Sequence, residues 1–179
     1  MQNRIGYKKT IFKIIKFATM LKNSEQMGNR TITLKNDYRV TSVGRILRKY
    51  KINEIPQLIN ILNGDISFVG PRPLLNKTFN DYPENVRDVI YNSKPGLTGI
   101  GSIVFRDEES ILSSIVNEDP HIYYHRVLAP FKGKLELWYL KNRSFLIDLK
   151  LIFLTAWVVI FPESNIYEKW FKDLPKRSF

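Results

Sequence analysis

Apolar residues in this chain come in short, interrupted stretches, and the interruptions mark out its elements. Between Arg4 and Phe17, Ile11, Ile14, Ile15 and Phe17 sit among lysines in a β-compatible alternation. That pattern predicts a hairpin turning near Tyr7–Thr10, or a strand leading into a helix. The polar run from Asn23 to Asp37 predicts a loop. Val43, Ile46 and Leu47 supply apolar positions for a helix over Thr41–Arg48, with Thr41 or Ser42 as its cap. A second helix is predicted over Glu54–Leu62, where Pro56 fits the first turn and Leu58, Ile61 and Leu62 share a face. Gly64 can end that helix, and Asp65–Val69 reads as a short strand. Gly70-Pro71-Arg72-Pro73 must be a stiff, non-helical turn, because both prolines fix φ and neither donates a hydrogen bond.

Further along, Asn80–Tyr91 predicts a helix stopped before Pro95-Gly96, and Gly96, Gly99 and Gly101 mark a tight, backbone-dominated segment. Glu108–Val116 is helical by pattern. Leu146–Phe161 is the most apolar helix, and its last eleven residues, Leu151–Phe161, carry no charge. A spanning helix needs roughly 20 apolar residues, so this one is too short to cross a bilayer. It is either a buried core helix or one lying in a membrane interface, a boundary that Trp138, Trp157 and Trp170 with neighbouring Lys and Arg would suit. The expectation is one α-rich α+β domain over residues 1–179, with a few short strands and interfacial amphipathic helices.

Charge narrows the partners. The chain carries a formal charge of +11, spread along its length, which implies a polyanion: nucleic acid, anionic lipid headgroups or phosphorylated substrates. No nucleic-acid recognition motif accompanies the charge, and aromatics do not alternate with the basic cluster, so no nucleic-acid partner is expected. Without cysteine there is no thiolate nucleophile and no Cys-based metal site. His121 and His125 alone would not make a zinc site, so any metal should be oxygen-ligated, which favours Mg²⁺. Residues 1–17 are polar and basic, without the apolar core of a secretory signal.

Three segments invite chemistry. Arg45, Arg48, Lys49 and Lys51 precede Asn53-Glu54 and a helix start, where free backbone N–H groups favour anions. A basic run on a helix is otherwise a solvated face. Glu54 is placed to hold a divalent cation or exchange protons. Arg72, between two prolines, can aim its fork at phosphate with little ordering cost, or be an exposed turn residue. Pro95-Gly96-Leu97-Thr98-Gly99-Ile100-Gly101 is Gly-rich, yet matches neither a Walker loop nor a dinucleotide fingerprint.

The stretch from Leu47 to Pro73, Leu47-Arg48-Lys49-Tyr50-Lys51-Ile52-Asn53-Glu54-Ile55-Pro56-Gln57-Leu58 through Gly64-Asp65-Ile66-Ser67-Phe68-Val69-Gly70-Pro71-Arg72-Pro73, resembles the bacterial sugar transferase family. These are the monotopic phosphoglycosyl transferases that act on polyprenyl phosphate. Gln2–Met20, Lys94–Gly99 and Tyr139–Lys150 are similar to other segments of that family. The resemblance implies transfer of a sugar 1-phosphate from a UDP-sugar to undecaprenyl phosphate, with release of UMP. It places the protein peripherally, on the membrane surface at the cytoplasmic face of the bacterial inner membrane. It further implies Mg²⁺, with Glu54 and Asp65 as metal ligands, Glu54 and the position of Asn53 as catalytic, and Arg48, Arg72 and Lys16 as phosphate binders.

Two departures from the family pattern matter. Asn53 stands where the family has its nucleophilic Asp, and a carboxamide is a very poor nucleophile. Three outcomes are open: Glu54 attacks in its place; another residue attacks, or donor and acceptor react directly; or the protein binds substrate without turnover, as an inactive paralogue or fragment. Family members also carry an apolar re-entrant helix before the segment that begins here at Gln2, so relative to them this sequence reads as N-terminally truncated or a piece of a longer protein. Ala18 replaces a further family cation.

Overall fold

The computed structural model describes residues 1–27 and 32–179; part of the loop expected over Asn23–Asp37, residues 28–31, lies outside the described residues. The N-terminal alternation forms a hairpin. Strands β1 (Gln2–Ile5) and β2 (Ile11–Ile14) pair antiparallel, with Gln2 opposite Ile14 and Ile5 opposite Ile11. Lys8 and Lys9 take positive φ at the tip, so the predicted turn sits where the polar break fell. Helix α1 (Ser42–Lys49) is capped by Thr41, whose hydroxyl accepts the Gly44 N–H. A 3₁₀ turn over Ile52–Glu54 then leads into α2 (Gln57–Leu62), which Pro56 opens.

Strand β3 (Ser67–Val69) pairs parallel with β4 (Gly96–Thr98). The glycines around this pair permit the approach: a Cβ on Gly96 would lie 2.1 Å from the Gly70 nitrogen. The helix expected over Asn80–Tyr91 is broken instead. Helix α3 (Asn76–Asn80) ends early, and Pro83 has an extended ψ of 147° before α4 (Glu84–Arg87) and a 3₁₀ turn over Ile90–Asn92. Proline cannot continue a helix through its own missing N–H, and the expectation overlooked it.

After β4 come α5 (Ile100–Val104), α6 (Glu108–Ser114) and α7 (Pro120–Tyr123). A π-helical turn over Tyr124–Leu128 runs into α8 (Ala129–Asn142), followed by α9 (Phe145–Ile160) and α10 (Ile166–Trp170). Helix α5 packs on both α8 and α9, and β3 and β4 pack on α9. Ile100, Leu128, Leu135, Leu151 and Leu154 are fully buried at the centre of this single core. The result is the α-rich α+β domain expected.

Helix α9 meets neither of its two expectations alone. Leu151, Leu154 and Val158 are buried, but Phe145, Leu146, Leu149, Ile152, Phe153 and Ile160 are exposed on the same helix. Among the described residues, no helix is long and apolar enough to cross a membrane.

Candidate active site

The site is assembled where the hairpin exit meets the α1–α2 segment. Asn60 of α2 makes the join: its Oδ1 accepts the Ile15 N–H at 3.0 Å, and its Nδ2 donates to the Lys13 carbonyl and to Asp65 Oδ2, each at 2.9 Å. The Phe17 N–H donates to the Asn53 carbonyl at 3.1 Å. These bonds carry Lys16 over the 3₁₀ turn that bears Glu54. Lys51 starts that turn in the left-handed region, at φ 59°.

At the centre, Glu54 Oε1 lies 2.8 Å from Lys16 Nζ and 3.6 Å from Arg72 Nη2. Burial pushes the Glu54 carboxyl upward, but Arg72, Lys16 and Lys51 more than offset this and bring it down to about 2. It is therefore ionised at any physiological pH. Burial and then the Arg72 charge lower Lys16 to about 8, against the pull of Glu54 in the other direction. The Glu54 side chain is 12% exposed and that of Arg72 41%, so a buried carboxylate is faced by a cation fork that still opens to solvent. That arrangement can receive an anion.

The loop carrying Arg72 is held at nearly every polar backbone atom. The Pro71 carbonyl accepts the Gly96 N–H at 2.9 Å, and the Arg72 carbonyl accepts the Tyr91 hydroxyl at 2.8 Å. The same Tyr91 oxygen accepts the Leu74 N–H at 2.8 Å. Arg4 reaches the Pro73 carbonyl. The turn is as stiff as its prolines required, and β4, the Ile90–Asn92 turn and β1 hold it in place.

Of the expected site residues, Lys16, Glu54 and Arg72 come together, with Asn53 beside them. Asn53 is 9% exposed, and its Oδ1 is buried without a hydrogen-bond partner. Arg48 stands apart: its Nε donates to Thr19 Oγ1 at 2.9 Å and its Nη1 to Glu109 at 3.2 Å. Asp65 is engaged by Asn60, and among the described residues no hydrogen bond or ion pair joins it to Glu54. Lys51 was read only as part of a basic run, and Tyr91 was not singled out, with no signal in the sequence to mark it.

Among the described residues, no group of at least three His, Asp or Glu side chains forms a metal cage. Mg²⁺ does not need one, since it is commonly held by one or two carboxylates plus substrate phosphates and water. The ionised Glu54 and the orphaned side-chain oxygen Oδ1 of Asn53 fit that donor chemistry.

Comparison with known proteins gives the family. A family model described as bacterial sugar transferase matches residues 1–162. The undecaprenyl-phosphate galactose phosphotransferase of Salmonella typhimurium is 32% identical over 171 residues, which cover 88% of this chain and 32% of that protein. The uncharacterized sugar transferase EpsL of Bacillus subtilis is 36% identical over 162 residues, covering 90% of this chain and 69% of that protein. An N-acetylgalactosaminephosphotransferase acting on undecaprenyl phosphate, from Aeromonas hydrophila, is 31% identical and covers 89% of this chain and 34% of itself. The chain thus spans about a third of the Salmonella and Aeromonas relatives.

Proposed function

The chain belongs to the bacterial sugar transferase family, and from that premise we propose that it transfers a sugar 1-phosphate from a UDP-sugar to undecaprenyl phosphate, releasing UMP. The observation that carries the reading is the Lys16–Glu54–Arg72 cluster, an ionised carboxylate between two cations of which one opens to solvent. Arg72 binds phosphoryl oxygens through its fork, and Lys16 adds a second positive charge behind them. In the transfer, an oxygen of the lipid phosphate forms a bond to the sugar-bearing phosphorus. The bond from that phosphorus to the UMP oxygen breaks, and UMP leaves with the electron pair.

Two features favour direct attack over a covalent enzyme intermediate. Asn53 carries no charge, and Glu54, held at about 2, is a weak base pinned by cations. Glu54 is then the group that orients the cations and would hold Mg²⁺, with Asn53 Oδ1 beside it. Mg²⁺, when bound there, would neutralise charge on the transferring phosphoryl group.

The surface fits a lipid-borne acceptor. Val43, Ile46, Ile55, Leu58, Ile59 and Leu62 project outward along the site-bearing segment, and α9 exposes its own apolar face. With the +11 charge, this suits peripheral binding to an anionic membrane, at the cytoplasmic face where UDP-sugars are made available.

Asn53 supports a second reading, an inactive relative that binds substrate without turnover. UMP release should be assayed with a panel of UDP-sugars, Mg²⁺ and undecaprenyl phosphate in anionic vesicles. Release that requires the lipid phosphate supports the transferase; none across the panel sinks it. Turnover by Asn53→Asp from an inert parent would establish the second reading.

A further inference from the structure

The Arg72 fork is only loosely gripped at its own end. Its Nη2 lies 3.6 Å from Glu54 Oε1 and its Nη1 3.5 Å from Ser102 Oγ, and the side chain is 41% exposed. Contacts that long orient a guanidinium weakly. Its direction comes instead from the backbone it leaves. Ahead of Arg72 that backbone is tied to β4: the Gly70 N–H donates to the Thr98 carbonyl at 3.0 Å, and the Pro71 carbonyl accepts the Gly96 N–H at 2.9 Å. Beyond it, the Leu74 carbonyl accepts the Ile5 N–H at 3.0 Å. The two peptides that directly follow the Arg72 Cα have a different partner, the hydroxyl of Tyr91.

Tyr91 stands in the Ile90–Asn92 turn, 1% exposed, with its ring stacked on Phe79 at 5.7 Å. A phenylalanine would fill that place as well, so packing does not ask for the hydroxyl. The hydroxyl is used twice: it donates to the Arg72 carbonyl and accepts the Leu74 N–H, each at 2.8 Å. Pro73 lies between those groups and has no N–H. Two residues apart, the carbonyl and the amide could bond each other directly only by closing a γ-turn at Pro73. One oxygen bridging them satisfies both groups and keeps the chain from closing there. Burial raises the hydroxyl above its usual range, so it stays protonated and its donor bond persists at any physiological pH.

We propose that Tyr91 is a positioning residue for Arg72: its hydroxyl fixes the two peptides that follow the Arg72 Cα and so sets the direction in which the guanidinium leaves the turn. That the fork is aimed at substrate phosphate rests on the function proposed above; the clasp and its control of Arg72 do not. Tyr91 acts through the main chain of the turn and not on phosphate itself.

The test compares the wild type with Tyr91→Phe, which removes one oxygen and keeps the ring. Side-chain ¹⁵N relaxation reads the order of the Arg72 Nε–H, with the buried Arg39, ion-paired to Asp37, as internal reference. The Arg72 order parameter should fall in Tyr91→Phe while that of Arg39 stays; equal Arg72 order in the two proteins overturns the proposal. Pyrophosphate is the probe of the fork, and its affinity should weaken about tenfold in Tyr91→Phe, the loss of about one hydrogen bond. In an Arg72→Met background the same substitution should change nothing further, because the hydroxyl acts only through Arg72. A loss that persists without Arg72, or no loss in a folded Tyr91→Phe protein, also overturns the proposal. If Tyr91→Phe does not fold, the wild type decides: pyrophosphate should shift the Leu74 amide resonance, at the far side of the clasp, and an unmoved Leu74 amide sinks the idea. Failure of the wild type to bind pyrophosphate or to release UMP counts against the transferase reading instead, and the Arg72 order parameter then decides alone.

Discussion

The segment from α1 to α2 and the helix α9 both put hydrocarbon into solvent, yet they bury opposite things. Beneath α9 lie Leu151, Leu154 and Val158. Beneath the α1–α2 segment lie Gly44, Asn53, Gln57 and Asn60, while Val43, Ile46, Ile55, Leu58, Ile59 and Leu62 face outward. Helix α9 is attached to the core by apolar burial. The α1–α2 segment is attached by amides and ion pairs, and its apolar face adds nothing to the fold of the isolated chain. Around the Lys16–Glu54–Arg72 cluster the segment is inside out, with its amides buried and its apolar side chains facing solvent.

That contrast breaks most sharply at Glu54. Replacing it by Gln keeps the shape but leaves Lys16 and Arg72 without their shared anion. UMP release should fall about a thousandfold, within the span of losing one positioned charged group. Turnover undiminished in Glu54→Gln would remove it from the mechanism.

On α9 the expected effect lies in stability instead. Leu154→Ala opens a cavity at a fully buried position and should cost about 2–5 kcal/mol in denaturant unfolding, with turnover per folded molecule unchanged. A comparable loss of stability from any exposed residue of α2 would erase the distinction between the two regions.

Acid should separate them by pH. The Glu54 carboxyl is lowered from 4.5 to about 2, so its folded form binds its proton later than the unfolded chain does. The stability it contributes is fully present above about 4.5 and is lost as pH falls through about 2, roughly 3 kcal/mol in all. Unfolding measured across that window should show this slope in the wild type and lack it in Glu54→Gln.

How much of this was legible depended on whether the signal was local. The hairpin, the Thr41 cap and the stiff Pro-Arg-Pro turn follow from residues adjacent in sequence, and each appears where the pattern placed it. Glu54 and Arg72 were named from their local setting and Lys16 through the family resemblance, and tertiary contacts bring the three together. Hydrophobic spacing found that Leu58 and Leu62 share a face of α2, but spacing gives a helix's stripe and not the side on which the core lies. Asp65 was named as a metal ligand through the resemblance, and its neighbour in the fold, Asn60, could not be read from the sequence. Asn and Gln side chains are mostly exposed in proteins, yet Asn60 and Gln57 are both buried. Asn60→Ala tests this: it unpins Ile15, Lys13 and Asp65 at once, and should cost about 1–3 kcal/mol together with most of the UMP release.

The smallest effect on the fold should come from Leu62, the most exposed of the α2 side chains at 86%. Leu62→Asp removes nothing from the core, so the unfolding free energy should stay within about 0.5 kcal/mol of the wild type. Binding to anionic vesicles should weaken about tenfold, because a buried leucine contributes about 1.5–3 kcal/mol and the new charge opposes the lipid surface. Soluble nucleotide binding should be unaffected, since Leu62 points away from the Lys16–Glu54–Arg72 cluster that α2 supports from its other side. Equal vesicle binding by wild type and Leu62→Asp would mean that the outward face of α2 serves something other than a membrane, and α9 would then be left as the surface for lipid.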